Sequence, residues 1–422
     1  MQRNYTIKLK FFNFYNLIDA MIDRKEMQET VSHYDPNNLA VAMLCSHSAL
    51  ETSAAAKYAG FRTIGITTQG RDKTYAVYNR KLFDKLFYVK EFKNGTTKID
   101  DYIQEEIIAN NGILVPNRSL SAYCGFDYIE NELRIPSLGG RHIQKAEDRN
   151  AKNNQYDILK RAGIEFPKRF EKPEDIDRLA VVKVQQKDNP LERAFIYPSS
   201  PEEFHSMTSD YIQRGIIDEK VLEGAIIEEF LVGPKVNANY HSFALHESLP
   251  QYFPTKIDLV GFGKRRQVNL SGLTEIPASE QEKIAGKVKI TNEEISHDGF
   301  TMRESTHESF YDIGKRFVEA VNSFYPGEMI GMFGLQGMMV TDQKTLKPKF
   351  VVYDASLRIP GDPAIGPTSP LMRNLSIKYA ELQSKLREST NYRGRNIEDP
   401  LDLTMLEIAT AGKENRLEEI VT

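Results

Sequence analysis

Two hydrophobic patterns follow one another along this chain. From Leu39 to Pro116, short apolar runs alternate with amphipathic stretches. Leu39–Leu44, Arg62–Thr67, Asp84–Val89 and Gly112–Pro116 read as buried strands. Ser48–Ala59, alanine-rich and closed by Gly60, and Asp100–Asn110 read as helices between them. An earlier helix is expected over Ile22–Tyr34, ended by Asp35-Pro36-Asn37-Asn38. Strands separated by helices predict a parallel, doubly wound sheet. Ligands of such a sheet sit beyond the carboxyl ends of its strands. Gly139-Gly140-Arg141 reads as a domain boundary, and the pattern then becomes strand-rich. Lys145–Gly163 predicts one charged helix, and strands are expected at Leu179–Val184, Ala194–Tyr197, Ala225–Val232, Val236–Leu245 and Val260–Arg266. Ser199-Ser200-Pro201-Glu202-Glu203 opens a helix in capping-box style, and Glu308–Phe324 predicts another.

The segment Met329–Pro370 organises the rest. Its apolar runs Gly331–Thr341 and Lys349–Ala355 flank a polar turn, Asp342–Pro348, which is the pattern of a hairpin with a longer loop. Each run carries one polar residue, Gln336 and Asp354. A polar group in a core strand costs free energy unless something pairs with it. Two oxygen ligands on adjacent strands suit Mg²⁺, which leaves its remaining positions to substrate phosphates and water. A hairpin with one polar face accounts for either residue alone. After the hairpin, Ser356, Arg358, Gly361, Asp362 and Gly366 supply donors and flexible backbone of the kind a loop over a phosphate or carboxylate needs.

Three polar loops leave the first sheet. Cys45-Ser46-His47-Ser48 combines hydroxyls, an imidazole and a helix start, whose free N–H groups suit an anion. Plain capping explains Ser46 or Ser48, whereas a cap has no use for His47. Thr67–Lys73 and Pro116-Asn117-Arg118-Ser119 add further cations. Lys183 lies inside the apolar run VVKV and is expected to meet an anion, unless it snorkels from an edge strand. Lys264-Arg265-Arg266 reads as a solvated strand end or a phosphate contact.

Composition narrows the classes. The 422 residues carry 55 Lys+Arg against 59 Asp+Glu, so no strongly basic surface for nucleic acid is indicated. Two cysteines, Cys45 and Cys124, allow no disulfide framework and read as buried residues in a reducing, cytoplasmic setting. No apolar run approaches the ~20 residues of a membrane span. The first residues contain Asn13, Asn16 and Asp19 and lack a cleavage site, so a signal peptide is not expected. No GxGxxG follows the first strand and no GxxxxGK[ST] occurs, which leaves a dinucleotide fold or P-loop unsupported.

Together these pieces resemble the ATP-grasp superfamily and, within it, the archaeal formate-dependent ligases that formylate AICAR (5-aminoimidazole-4-carboxamide ribonucleotide), the FAICAR synthetases. The resemblance is carried by Ser46-His47-Ser48, Gly70-Arg71, Ala122-Tyr123-Cys124-Gly125, Ile227-Glu228-Glu229-Phe230, Asn269 before Gly272-Leu273, Arg303-Glu304-Ser305, Phe333-Gly334-Leu335-Gln336 and Ser356-Leu357-Arg358-Ile359, in that order. It implies an α/β and α+β chain: a Rossmann-like preATP-grasp domain over residues 21–140, then an ATP-grasp domain over 141–422, with 1–20 as an N-terminal extension. It further implies ATP with Mg²⁺ or Mn²⁺ as cofactors, formate and AICAR as substrates, formyl phosphate as intermediate, and a homo-oligomer. By the same resemblance His47, Ser48, Ser119 and Asn269 would hold AICAR, Lys183 would reach the ATP phosphates, and Glu228, Glu229, Phe230 and Leu231 would read adenine. Gln336 and Asp354 would hold the metal, and Arg358 is the catalytic candidate.

The chain departs from the family pattern in several places. The glycine-rich stretch expected after the Lys183 strand is replaced by Val184–Arg193, which has no glycine. Asn117-Arg118 stands for His-Gly, Asp354 for Glu, and Gln267 and Ser271 flank Asn269 where acids are expected. Two readings follow: the formate–amine ligase itself, or a divergent paralogue with another acid and amine or a non-catalytic regulatory role.

Overall fold

A computed structural model describes residues 21–422 apart from 186–192, 223, 249–255, 268–276, 286–293, 343–344 and 362–369. The first sheet is parallel and contains β1 (Ala40–Leu44), β2 (Arg62–Thr67), β3 (Lys85–Tyr88) and β4 (Gly112–Leu114), in the order β3-β2-β1-β4. β1 is central and buried throughout, as its unbroken apolar run requires. The helix Ala49–Ala59 covers the sheet and stops at Gly60, whose φ of 96° is left-handed. A Cβ there would lie 2.7 Å from the carbonyl oxygen of Asn391, so glycine is needed for its backbone angle and for this close approach.

The second sheet is antiparallel: β5 (Arg169–Phe170), β6 (Ala180–Gln185), β7 (Arg193–Ile196) and β8 (Ile226–Glu229), in the order β5-β8-β6-β7. Its small core holds Phe170, Val182, Ile196, Phe204 and Ile227. β8 ends at Glu229, short of the expected Val232. Gly233, against which a Cβ would meet the Met339 carbonyl oxygen at 2.0 Å, turns the chain into the next sheet.

That third sheet is also antiparallel and holds β9 (Lys235–Ser242), β10 (Ile257–Gln267), β11 (Glu294–Phe300), β12 (Gly331–Thr341) and β13 (Pro348–Ser356), in the order β11-β10-β9-β12-β13. The helix His307–Phe324 packs on it, and Tyr240 stacks on Phe333 at 4.9 Å between ring centres. Gly314 of that helix sits where a Cβ would lie 2.6 Å from Cε1 of Tyr240, so the missing side chain lets helix and sheet close together.

The single helix expected over Lys145–Gly163 is instead a 3₁₀ turn, Ile143–Glu147, and a separate helix, Gln155–Arg161. Asn153 has a φ of 55°, which breaks helical geometry, and Asn154 restarts it through a capping box with Asp157. Among the described residues three further helices follow β13: Pro370–Ser389, Pro400–Glu414 and Leu417–Ile420. Residues 400–412 are all buried, and their apolar side chains share one core with the helix Ala49–Ala59. Val421 bridges to Leu138 beside β4. Arg141, 1% exposed, clasps this junction by donating to the carbonyls of Ile129 and Ile135, each at 2.8 Å, and of Thr422 at 3.0 Å. No helix among the described residues is long and apolar enough to cross a membrane.

Candidate active-site cleft

The three sheets meet at a cleft of about 1240 Å³. The hairpin supplies its floor. Gln336 on β12 is paired across the sheet with Asp354 on β13 and, on its other side, with Asn237 on β9. The register shifts after Gln336, which leaves Tyr353 as an extra residue on β13. Neighbouring strand residues normally face opposite ways, and a bulge relaxes that rule. Tyr353 and Asp354 therefore both line the cleft. Gly337 accommodates the bulge, since a Cβ there would lie 2.3 Å from the carbonyl oxygen of Val351. Burial pushes the Tyr353 hydroxyl up to about 12.

The second sheet forms the opposite wall. Lys183 on β6 pairs with Glu228 on β8, so the anion expected beside this lysine is a carboxylate of the protein itself. Val181 stands opposite Glu228, and Lys183 reaches it diagonally on the same face. Only Oε2 of Glu228 is engaged; Oε1 is buried without a hydrogen bond, with Nη1 of Arg149 at 3.8 Å. Glu229, Phe230 and Leu231 continue the wall, and Tyr197 meets Phe230 edge-on at 5.0 Å.

The loops of the first sheet close the third side. His47 lines the cleft with a φ of 53°. Its imidazole is held below the usual histidine range by burial, then by the nearby Arg358, against an upward pull from Glu294. Ser48 stands at the helix start but makes no cap bond; its hydroxyl donates to the Pro360 carbonyl at 3.3 Å. Ser119 is buried and its N–H donates to Oδ1 of Asn117. Neither serine is part of the cleft wall. Asn117 caps the helix Arg118–Cys124 and donates through Nδ2 to the carbonyls of Leu44, at 3.0 Å, and Ser46, at 3.2 Å. It thereby ties the first and third loops together, and its backbone bridges to Ile359 beyond β13.

Arg358, also in the wall, is buried and held by Oε2 of Glu147 at 3.1 Å and by the Ile359 carbonyl. Burial lowers its affinity for a proton, and its Nε has no partner in the structure. The structure thus brings His47, Lys183, Glu228, Glu229, Phe230, Leu231, Gln336, Asp354 and Arg358 around one space. Asn269 and most of the glycine-free stretch, residues 186–192, lie outside the described residues. Both cysteine thiols are pushed up to about 12 by burial, in keeping with inert packing.

Several cleft residues carry no strong sequence signal. Asn237, Arg149, Glu294 and His297 line it, as does Arg265 from the basic run that reads more readily as a solvated strand end. Among the described residues no cluster of three His, Cys, Asp or Glu side chains is arranged to hold a metal ion. The Gln336–Asp354 pair still fits Mg²⁺, which needs one or two protein oxygens when phosphates complete its shell.

Residues 203–422 match a family described as "Domain of unknown function (DUF1297)", and residues 41–170 one described as "Protein of unknown function (DUF1246)". The 5-formaminoimidazole-4-carboxamide-1-(beta)-D-ribofuranosyl 5'-monophosphate synthetase of Methanopyrus kandleri is 32% identical over 349 residues, which is 81% of this chain and 88% of that protein. The protein of the same name from Methanocaldococcus jannaschii is 32% identical over 351 residues, with the same coverage. The crystal structure of an IMP biosynthesis protein PurP from Thermococcus kodakaraensis superposes with a TM-score of 0.60 at 20% identity, covering 90% of this chain and 100% of that one. That likeness shows the fold, a parallel α/β unit followed by a unit of two antiparallel sheets. By the extent and identity of these matches, the chain belongs to the family of 5-formaminoimidazole-4-carboxamide-1-(beta)-D-ribofuranosyl 5'-monophosphate synthetases.

Proposed function

We propose that this chain is an ATP-dependent carbon–nitrogen ligase that joins formate to the 5-amino group of AICAR, giving FAICAR, ADP and phosphate in IMP biosynthesis. The observation that carries this reading is the opening of Lys183–Glu228, Gln336–Asp354 and His47 onto one cleft, in a chain related over most of its length to enzymes of that name. A formate oxygen attacks the γ-phosphorus and the bond to the β-phosphate breaks, leaving formyl phosphate and ADP. The amine then attacks the formyl carbon, the carbon–oxygen bond breaks, and phosphate departs as the nitrogen loses a proton.

Lys183 reaches the phosphates, and the adenine lies against Glu228–Leu231, with Phe230 offering an apolar surface. Gln336 and Asp354 hold Mg²⁺, which when bound neutralises phosphate charge. Arg358 faces the acyl phosphate from a fixed, buried position, so its charge needs little reorganisation. His47, Ser48, Ser119 and Asn269 serve the ribonucleotide, the two serines by shaping the loop, since they lie behind the wall. We place the reaction in the cytoplasm, carried out by a homo-oligomer.

The test is ADP release measured with formate and AICAR together and with each alone. Release that needs both, with FAICAR formed mole for mole, is expected. ADP release indifferent to AICAR would sink this reading.

A further inference from the structure

Glu294, the first residue of β11, sits at a convergence of three distant parts of the chain. Its Oε2 is 2.7 Å from Nε of Arg265 on β10. Its Oε1 faces two imidazoles at once: Nε2 of His297 at 3.5 Å and Nε2 of His47 at 3.9 Å. His47 comes from the first sheet's loop and His297 from β11, whose register sets Arg265 opposite His297. Gly361, beyond β13, fits into the same spot. A Cβ there would lie 3.0 Å from Glu294 Oε1, 3.0 Å from His47 Cε1 and 3.1 Å from His297 Cε1. All five residues line the cleft.

The arrangement is poorly explained as packing. The side chains of His47 and Glu294 keep 28% and 27% exposure toward the cleft. The two imidazole contacts are longer than good hydrogen bonds, as polar contacts of a binding site often are before a substrate tightens them. We infer that Glu294 is a positioning residue: it fixes the imidazoles of His47 and His297 so that they read the amino group of the ribonucleotide. This rests on the ligase reading above and adds to it the residue that orients the amine.

The charge environment supports the assignment. The groups that act on His47 are Arg358, His297 and Arg118, which all push its protonation down, and Glu294, which pulls it up; burial pushes down most. Glu147, another carboxylate of the cleft wall, is committed to Arg358. Glu294 therefore orients an imidazole that stays neutral near pH 7. A neutral ring offers one acceptor nitrogen, which is what an aromatic amine presents its N–H to. Sites built to pair a substrate N–H discriminate strongly against analogues lacking it, because their own polar groups are otherwise left unpaired.

The test uses the full-length Glu294→Gln variant, with Glu294→Asp as the conservative control and circular dichroism to establish folding. Followed by NMR, the His47 imidazole should titrate at lower pH in Glu294→Gln than in the unaltered protein, because only an upward influence has been removed. kcat/KM for AICAR should fall at least tenfold while KM for ATP stays within twofold, and the acid limb of the pH–rate profile should move to lower pH. Glu294→Asp should recover part of the loss. An unmoved His47 titration, or an unchanged kcat/KM for AICAR, overturns the inference. If the unaltered protein releases no ADP with formate and AICAR, the ligase reading fails by itself. Calorimetric AICAR affinity then replaces kcat/KM, and equal affinity in protein and variant overturns the positioning role.

Discussion

Two lysine–carboxylate pairs in this molecule look alike by burial of the acid and differ in everything else. In the cleft, Lys183 pairs with Glu228; under the third sheet, Lys378 pairs with Asp258. Both acidic side chains are 3% exposed, whereas the lysines are 22% and 8% exposed. Asp258 is satisfied on both oxygens, by Lys378 and by the hydroxyl of Tyr379. Burial and the neighbouring carboxylate hold that hydroxyl far above the usual tyrosine range, so it stays a donor. Glu228 has Lys183 on one oxygen and, on the other, no hydrogen bond, only Nη1 of Arg149 at 3.8 Å. A sealed, fully paired cluster specifies how the helix Pro370–Ser389 docks; a half-paired one at a cleft wall has capacity left for a ligand.

Removing the acid from the sealed pair should have the largest effect. Asp258→Ala takes the carboxylate away from a buried ammonium and a buried hydroxyl, and should destabilise the fold by about 3–5 kcal/mol. Denaturant titration checks this, and a loss under about 1 kcal/mol would erase the contrast between the two pairs. In the cleft the effects should fall on ligands. Asp354→Ala should weaken Mg·ATP binding by about 2–3 kcal/mol, the scale of a lost contact to a charged group, with little change in unfolding midpoint. Calorimetry with and without Mg²⁺ decides it, and equal affinities would remove Asp354 from the metal site. Lys183→Met should weaken ATP by about 1.5–2 kcal/mol yet cost only about 1 kcal/mol of stability, because Arg149 remains beside Glu228 at the cleft wall. A stability loss as large as that of Asp258→Ala would mean the cleft pair is structural after all.

The smallest effect concerns a third buried acid. Glu407 on the helix Pro400–Glu414 is fully buried, accepts the N–H of Ala244 at 2.6 Å, and is pushed up to about 8 by burial. His241, 3.9 Å away, is pushed down to about 3 by burial. A raised carboxyl keeps its proton in the fold after the unfolded chain has lost it. Its contribution is therefore lost as pH rises from about 4.3 toward 8. His241 acts oppositely, losing stability as pH falls below about 6.5. Above that pH the histidine slope ends and the carboxyl slope remains, at most about 1.4 kcal/mol per pH unit. Glu407→Gln keeps the acceptor and should flatten stability between pH 6.5 and 8. An unchanged slope in urea titrations across that window would show that Glu407 is ionised in the fold.

Much of the fold could be read from residue patterns because its strands are locally distinctive. Arg62–Thr67 and Gly331–Thr341 have the limits their apolar runs suggest, and Gln336 and Asp354 meet across the hairpin. Lys183 betrayed a partner by its apolar setting, although its identity depended on β8, far away in sequence. The Lys145–Gly163 region misled because the helix break is a single residue, Asn153, in a conformation that composition does not announce. Residues Glu294 and His297 were silent for another reason. β11 has no buried residue and lacks apolar alternation, so nothing in its sequence separates a cleft wall from a solvated loop. Asn117, conspicuous only as a departure from the family pattern, proves to be the cap that ties two loops.

The return of residues 400–422 to the first sheet bears on how the molecule is made. During synthesis the helix Ala49–Ala59 emerges before β2, while the helix that seals its apolar face emerges only after the strands of all three sheets. Until then that flank of the first sheet lacks its native cover, and exposed apolar surface of this kind is prone to misassembly. A message truncated before the codon for Pro400 would yield a protein in which the first sheet lacks this cover, a product suited to rapid proteolysis.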